Sequence, residues 1–400
     1  MKKNMRILVL HNKYQKIGGE ETVLSNEIKL LKDAGHTIKL YTVSNDEIDT
    51  IYKKIWAAIS AIHSPKFYKV VTHLIRDFRP DIVHVHNFFP LLSPSVFNAC
   101  YDCGVPSVLT LHNYRLICSN GLLMRNGKIC ELCVQFSAYH AVLHGCYRNS
   151  RVATLPVTLM IEAHKHLGTW SKKVDRFIAL TDFAKKKFIE ANLPRDKVVV
   201  KPNFSTPSPE NWTADAKGRA GALFVGRLSP EKGIQTLQEA WKNLDIPLTI
   251  LGNGPLRGAL EADGNQMIKL LGQKEKKNVL SEMSTSNFMV MPSIWYEGFP
   301  MIVVEAFSMK LPVITSKIGS LAEIITHGVT GLHFEAGNAN DFRDKVRWAA
   351  SNPAKIKIMG ENAYKVYLEK YTNNSNLQFL MNIYSEAISE KERLGNNAIC

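Results

Sequence analysis

The chain has no apolar run approaching the roughly 18 residues that a membrane-spanning helix needs. The stretch Ile7-Leu8-Val9-Leu10 behind its basic start is shorter than the ~7–15-residue core of a secretory signal, so a cytosolic protein is expected. It lacks the phosphate-binding pattern Gly-x-x-x-x-Gly-Lys-[Ser/Thr]; its single Gly-Lys step is Gly127-Lys128-Ile129, which excludes a P-loop ATPase. Gly252-Asn253-Gly254-Pro255-Leu256-Arg257 places an arginine where a dinucleotide-binding turn needs its third glycine, which disfavours a dehydrogenase. No two aspartates stand at i and i+2, so the carboxylate pair that holds a metal-bound nucleoside diphosphate is missing. Phosphate charge must then be met by protein cations and helix ends.

Acidic residues are in deficit. The 36 Asp+Glu face 50 Lys+Arg, for a net charge of +14, which favours an anionic partner: nucleic acid, a membrane surface or a phosphate-bearing substrate. With no zinc-finger spacing, RNP-type aromatic motif or dense basic helix, no nucleic-acid partner is expected. Among the seven cysteines, Cys118, Cys130, Cys133 and Cys146 crowd into one Gly-, Asn- and Arg-rich stretch. Four thiolates suit a tetrahedral structural zinc site. A loop with free thiols is the other reading, and His140 and His144 are competing ligands or plain helix residues. Cys100 and Cys103 precede Gly104-Val105-Pro106 and read as packing residues.

Strand-like and helix-like segments alternate. Arg6 to Leu10 reads as a buried strand, and Glu20 to Ala34 as a helix with Leu24, Ile28 and Leu31 on one face. Thr37 to Val43, Asp81 to His86, Ser107 to Leu111, Arg176 to Leu180 and Lys197 to Lys201 read as further strands. The Pro-rich stretch from Lys201 to Gly218 reads as a linker. Strands then resume at Ala222 to Val225, Leu248 to Leu251, Met267 to Leu271, Phe288 to Met291 and Pro312 to Thr315. The last fifty residues are helical. This is an α/β pattern of two parallel-sheet domains, whose ligands bind beyond the carboxyl ends of the strands.

Candidate chemistry sits at those ends. Gly18-Gly19 opens the helix at Glu20, where free N–H groups face a phosphate. Gly226-Arg227-Leu-Ser-Pro-Glu-Lys232-Gly233 sets an Arg and a Lys behind a strand, a combination suited to a pyrophosphate. In Ser293-Ile-Trp-Tyr-Glu297-Gly298-Phe299-Pro300-Met301-Ile302-Val-Val-Glu305, a strand runs into a Gly-Pro turn and a helix near Met301. Its two carboxylates stand eight positions apart and suit hydroxyl groups of a sugar and a ribose. His112 leaves the strand Ser107 to Leu111 as a polar candidate. His84 and His86 share one strand face but lack a third metal ligand.

Together these residues resemble the retaining glycosyltransferases of family four (glycosyl transferases group 1), of the bacterial surface-polysaccharide type. The resemblance spans Gly18-Gly19, Asp81 to His86, Thr110-Leu-His112, Lys201-Pro-Asn203, Val225 to Gly233, Leu251 to Pro255 and Glu297 to Glu305. It implies a GT-B fold: two Rossmann-like domains facing across a cleft, with a C-terminal helix crossing back to the first. The expected acceptor domain is 1–205, with a Cys-rich insert at 115–150; the donor domain is 206–372 and the returning helix 373–400.

The resemblance further implies transfer of a sugar from a UDP- or GDP-linked donor to a saccharide or lipid-linked saccharide acceptor, in capsule, exopolysaccharide or O-antigen assembly. No cofactor is expected for catalysis, and structural zinc stays open. Arg227 and Lys232 would bind the diphosphate and Glu305 the ribose. Glu297 with Gly298, Phe299, Pro300, Met301 and Ile302 would surround the sugar, Gly272 would meet the base, and Gly19 would approach the phosphate. His112 and Glu297 would be the catalytic groups. A sugar-nucleotide enzyme of another reaction type, epimerase or phosphorylase-like, is the alternative. Lys53-Lys54, Lys185-Lys186-Lys187, Ile55-Trp56 and Phe67-Tyr68 lead us to expect a cytoplasmic protein docked peripherally on the anionic inner face of the plasma membrane.

Overall fold

The computed structural model describes residues 4–13, 19–47, 50–206 and 218–397. Gly18 and most of the expected linker, 207–217, lie outside the described residues. The chain divides into two compact units. The first comprises Met1–Leu123, Cys130–Pro202 and Asn376–Cys400, and the second Met124–Ile129 with Asn203–Ser375.

In the first unit β1 (Arg6–Lys13), β2 (Thr37–Ser44), β3 (Ile82–Asn87) and β4 (Ser107–Leu111) precede the small hairpin of β5 (Met124–Arg125) and β6 (Lys128–Ile129), which is grouped with the second unit. β7 (Arg176–Ala179) and β8 (Val198–Val200) complete a parallel sheet in the order β2-β1-β3-β4-β7-β8. All residues of β3 and β4 are buried, as strands covered on both faces must be. β1 runs three residues past the expected Leu10 because His11, Asn12 and Lys13 continue the ladder with Thr42, Val43 and Ser44. The expected helix is Gly19–Asp33.

The C-terminal helix Asn373–Asn397 supplies Leu380, Met381, Ile383, Tyr384 and Ala387 to the core formed by Ile7, Val9, Leu24, Leu31, Ile82, Val108 and Ile178. Each large apolar side chain buried there contributes about 1.5–3 kcal/mol. Arg176 to Glu390 and Lys391 to Asp175 at 3.3 Å add ion pairs at its rim.

The second unit has β9 (Ala222–Val225), β10 (Leu248–Leu251), β11 (Ile268–Gly272), β12 (Phe288–Met291), β13 (Val313–Ser316) and β14 (Gly331–Phe334), all parallel, in the order β11-β10-β9-β12-β13-β14. Successive strand residues alternate between two cores. Phe224, Ile250, Val290 and Ile314 enter one, and Leu223, Leu251, Met289, Met291 and Val313 the other. β14 was not expected, because its opening Gly331 reads as a turn residue. A Cβ there would stand 2.1 Å from the Val313 carbonyl oxygen, so the strand can pair with β13 only through a glycine.

Among the described residues no helix is long and apolar enough to cross a membrane.

Candidate functional site

In the second unit the strand order reverses at β9, whose neighbours are β10 on one side and β12 on the other. Ligands of such sheets lie outside the carboxyl ends of the strands at this reversal. Two glycines let the loops there close on each other. A Cβ at Gly252 would stand 1.8 Å from the Gly226 carbonyl oxygen, and one at Gly233 (φ 71°) 1.7 Å from that of Pro292. The loop after β9 is thereby held against both the loop after β10 and the start of the loop after β12. Gly226 N donates to Leu251 O and Leu228 N to Asn253 O, both at 3.0 Å.

That packing brings Lys232 to Glu297. Lys232 Nζ donates to both carboxylate oxygens, at 2.7 and 2.9 Å, and Ser293 Oγ donates to Oε1 at 2.7 Å. The same ammonium lies 5.5 Å from the centre of the Trp295 ring. Glu297 is buried at 5% exposure, so its charge requires these partners. The sequence reading placed Lys232 on a diphosphate; the structure shows it paired with the expected sugar carboxylate, 65 positions away. An ammonium has three donors, so one stays available for a further anion. Arg227 is exposed.

Pro300 precedes the helix Met301–Ser308, and no side chain caps its first turn. Gly298, Phe299, Met301 and Ile302 are half-buried beside it. Glu305 faces Lys276 Nζ at 3.1 Å, an ion pair exposed enough to be exchanged for a ligand hydroxyl at small cost. Gly272 ends β11 at φ +70°, its would-be Cβ 3.2 Å from Arg257 Nη1.

In the first unit the order reverses between β1 and β3. Here the structure shows a buried network that sequence reasoning did not assemble. Lys201 Nζ donates to Glu27 Oε2 at 2.9 Å and to Asn376 Oδ1 at 3.2 Å. Glu27 Oε1 lies 3.1 Å from His86 Nε2 and 3.3 Å from His84 Nδ1. His84 also meets the Tyr384 hydroxyl at 2.7 Å and Thr110 Oγ1 at 2.8 Å. His86 Nδ1 lies 3.0 Å from Nε2 of half-buried His112. Burial pushes the Glu27 carboxyl up, but the Lys201 ammonium and His86 hold it well below the usual carboxylate range. Burial, followed by His84, lowers His86 to about 4; burial and His86 hold His112 well below the ordinary imidazole value.

His84 and His86 thus gain the third ligand-type group that the sequence lacked. Among the described residues, Glu27, His84 and His86 form the set of three such atoms within 4.8 Å of one another. The Lys201 ammonium already neutralises that carboxylate, so the cluster is a buried ion-pair network. A signal for it existed: Glu27 falls beside Ile28 on the apolar face of its helix, where a charge is buried only if paired.

Next to the network, His11 is fully buried and Glu20 is pushed well above the usual range by burial and by Glu21. A Cβ at Gly19 would meet no atom within 4 Å, so packing does not require that glycine.

The four cysteines of the insert do not form a metal-type set. Cys118 and Cys133 touch, and the Cys133 thiol with the N–H groups of Leu123, Asn120 and Gly121 pulls Cys118 down to about 6 against the effect of burial. Arg115 ties the insert to the end of β4, lying over Phe89 and Tyr147 at 4.9 and 5.1 Å and donating to Ser119 O. Cys100 is fully buried packing, as expected. Two expected basic or apolar patches change: Phe67 is buried, and Lys187 is neutralised by Glu131 and Glu190 at 2.9 Å each. Tyr52, Trp56 and Ile59 are 69%, 53% and 60% exposed, at helical spacing on Ile51–Ser60.

Residues 213–366 match the family model for glycosyl transferases group 1, and residues 17–206 that for Glycosyltransferase Family 4. An uncharacterized glycosyltransferase of Methanocaldococcus jannaschii is 26% identical over 96% of this chain and 98% of its own length. An uncharacterized 42.6 kDa protein in the cps region of Klebsiella pneumoniae is 25% identical over 80% of this chain and 87% of its own. Among solved structures, Anabaena HepE in complex with UDP superposes with a TM-score of 0.65 at 17% identity, covering 95% of this chain and 100% of that one.

Proposed function

The chain belongs to this glycosyltransferase family, and from that premise we propose a retaining, metal-independent enzyme that moves a sugar from a UDP- or GDP-linked donor to a saccharide or lipid-linked saccharide acceptor in cell-surface polysaccharide assembly. The observation that carries the reading is the Lys232–Glu297–Ser293 constellation at the strand reversal of the second unit, beside the uncapped helix start at Met301. Exposed Arg227, the third proton of Lys232 and the free N–H groups of that helix would stabilise the leaving diphosphate. Glu297 would accept from hydroxyls of the sugar, and Glu305 from the ribose. Gly272 is assigned to the base. From the first unit, the resemblance contributes Gly19 toward the phosphate and His112 toward the reacting side of the sugar.

In this scheme the acceptor oxygen bonds to the anomeric carbon on the face from which the phosphate leaves, and the departing phosphate takes the acceptor's proton. No enzyme carboxylate serves as nucleophile. The HepE complex with UDP supports a nucleoside-diphosphate donor, and the cps-region relative supports a polysaccharide product. A structural zinc on Cys118, Cys130, Cys133 and Cys146 requires the thiols to draw closer than they stand; the Cys118–Cys133 contact and the spacing favour it. The apolar face Tyr52–Trp56–Ile59 and the charge of +14 support docking on the anionic inner leaflet.

Incubation with a panel of UDP- and GDP-sugars, with a lipid-linked or oligosaccharide acceptor and EDTA present, tests the reading. Nucleoside diphosphate release with an unchanged anomeric configuration in the product is expected. Inversion, or a strict metal requirement, would refute those parts of it.

A further inference from the structure

The buried network of the first unit ends on a polar side chain at a strand's carboxyl end. We propose that Glu27 and His86 are positioning residues that fix His112 as its Nε2–H tautomer, so that His112 Nδ1 presents a bare lone pair to a hydroxyl group of the donor sugar. The inference rests on the proposed placement of His112 at the sugar.

The proton positions follow one from another. Lys201 keeps Glu27 ionised, and an ionised carboxylate only accepts. A bare ring nitrogen 3.1 Å from Glu27 Oε1 would be repelled, so His86 carries its proton on Nε2. Buried His86 is neutral and has a single ring proton, which leaves its Nδ1 bare. That atom lies 3.0 Å from His112 Nε2, within hydrogen-bond distance. His112 must therefore donate from Nε2. Being neutral as well, it keeps Nδ1 unprotonated. The charged and titratable groups around the chain of contacts are Glu27, Lys201, His84, His11 and Tyr384.

The consequence for function is directional. His112 can accept a hydrogen bond from a sugar hydroxyl near neutral pH but cannot donate a proton to the leaving phosphate. A carboxylate that orients a histidine through a second histidine sets a tautomer without touching the substrate.

Long-range proton–nitrogen NMR of the full chain labelled with 15N-histidine tests this directly, with His112 assigned through His112→Gln and, if that variant does not fold, through backbone-linked spectra. At pH 7 the wild-type His112 should show a protonated Nε2 and a bare Nδ1, and it should keep that form as pH falls through the ordinary imidazole range. A proton on Nδ1, or a doubly protonated ring at pH 7, would overturn the proposal whatever the activity. His86→Leu should mix the tautomers and lower kcat about fivefold or more with donor KM changed less, while His86→Gln, which keeps an acceptor, should restore most of kcat. Equal kcat in both variants would also overturn it. The predicted tautomer together with wild-type turnover in His112→Ala would instead refute the placement of His112 at the sugar and leave the proton arrangement standing.

Discussion

The two strand reversals solve the problem of a charged group in a folded chain in opposite ways. In the second unit Glu297 and Lys232 meet within two short loops whose close approach Gly233 permits, and the ammonium stays partly accessible, at 21% side-chain exposure. In the first unit Glu27 and Lys201 are 174 positions apart and almost fully buried, at 3% and 1% side-chain exposure, and Asn376 and Tyr384 of the C-terminal helix complete the arrangement. A pair that solvent and ligand can still reach is available for chemistry. A sealed pair instead orients what lies next to it, and its loss falls on stability before activity.

That contrast is broken most severely at Lys201. Lys201→Met strands the Glu27 carboxylate in the core and should destabilise the protein by about 3–5 kcal/mol, whereas Lys201→Met with Glu27→Leu should recover most of the loss. Denaturant unfolding measures both. A cost below about 1 kcal/mol for the single change would show that the pair is not sealed.

Acid should expose the same network. A histidine whose folded pKa lies near 4 against about 6.5 unfolded binds its proton preferentially in the unfolded chain, so its stabilisation is present above pH 6.5 and lost as pH falls toward 4. His86 alone accounts for about 3 kcal/mol of this loss. Glu27, with its pKa also lowered, loses its contribution in the same direction at lower pH. Unfolding midpoints that stay flat from pH 7 to 4.5 would contradict it.

At the accessible pair the expected effect is on turnover. Glu297→Ala should lower kcat about tenfold or more, a loss of about 1.4 kcal/mol, without unfolding the protein. Glu305→Ala, which breaks a more exposed pair, should mainly weaken donor binding by a few-fold. Effects on affinity alone in both variants would contradict the proposed division between a sugar carboxylate and a ribose carboxylate. The smallest expected effect lies on the helix Ile51–Ser60, where Trp56→Glu should reduce co-sedimentation with anionic liposomes at low salt and leave turnover on a soluble acceptor unchanged.

Legibility followed the same division. The two parallel sheets, their strands up to β13 and the loop motifs around Arg227, Lys232, Glu297 and Glu305 were readable because each depends on residues close in sequence, whereas the short hairpin β5–β6 was not read. β14 escaped because its Gly331 reads as a turn until β13 lies beside it. The partners of Glu27 escaped because nothing local joins a helix near the start of the chain to Lys201, Asn376 and Tyr384. The Lys232–Glu297 pair was only half legible: both residues were identified, but their bond to each other depends on how closely Gly233 lets two loops approach.

The central proposal is that the second unit holds a nucleoside diphosphate with protein groups alone. Calorimetric titration of the full chain with UDP and with GDP, in EDTA, tests it most directly. The account predicts saturable binding of at least one nucleotide, weakened about tenfold or more by Lys232→Ala, equivalent to about 1.4 kcal/mol. Binding of neither nucleotide, or identical affinity in Lys232→Ala, would contradict it.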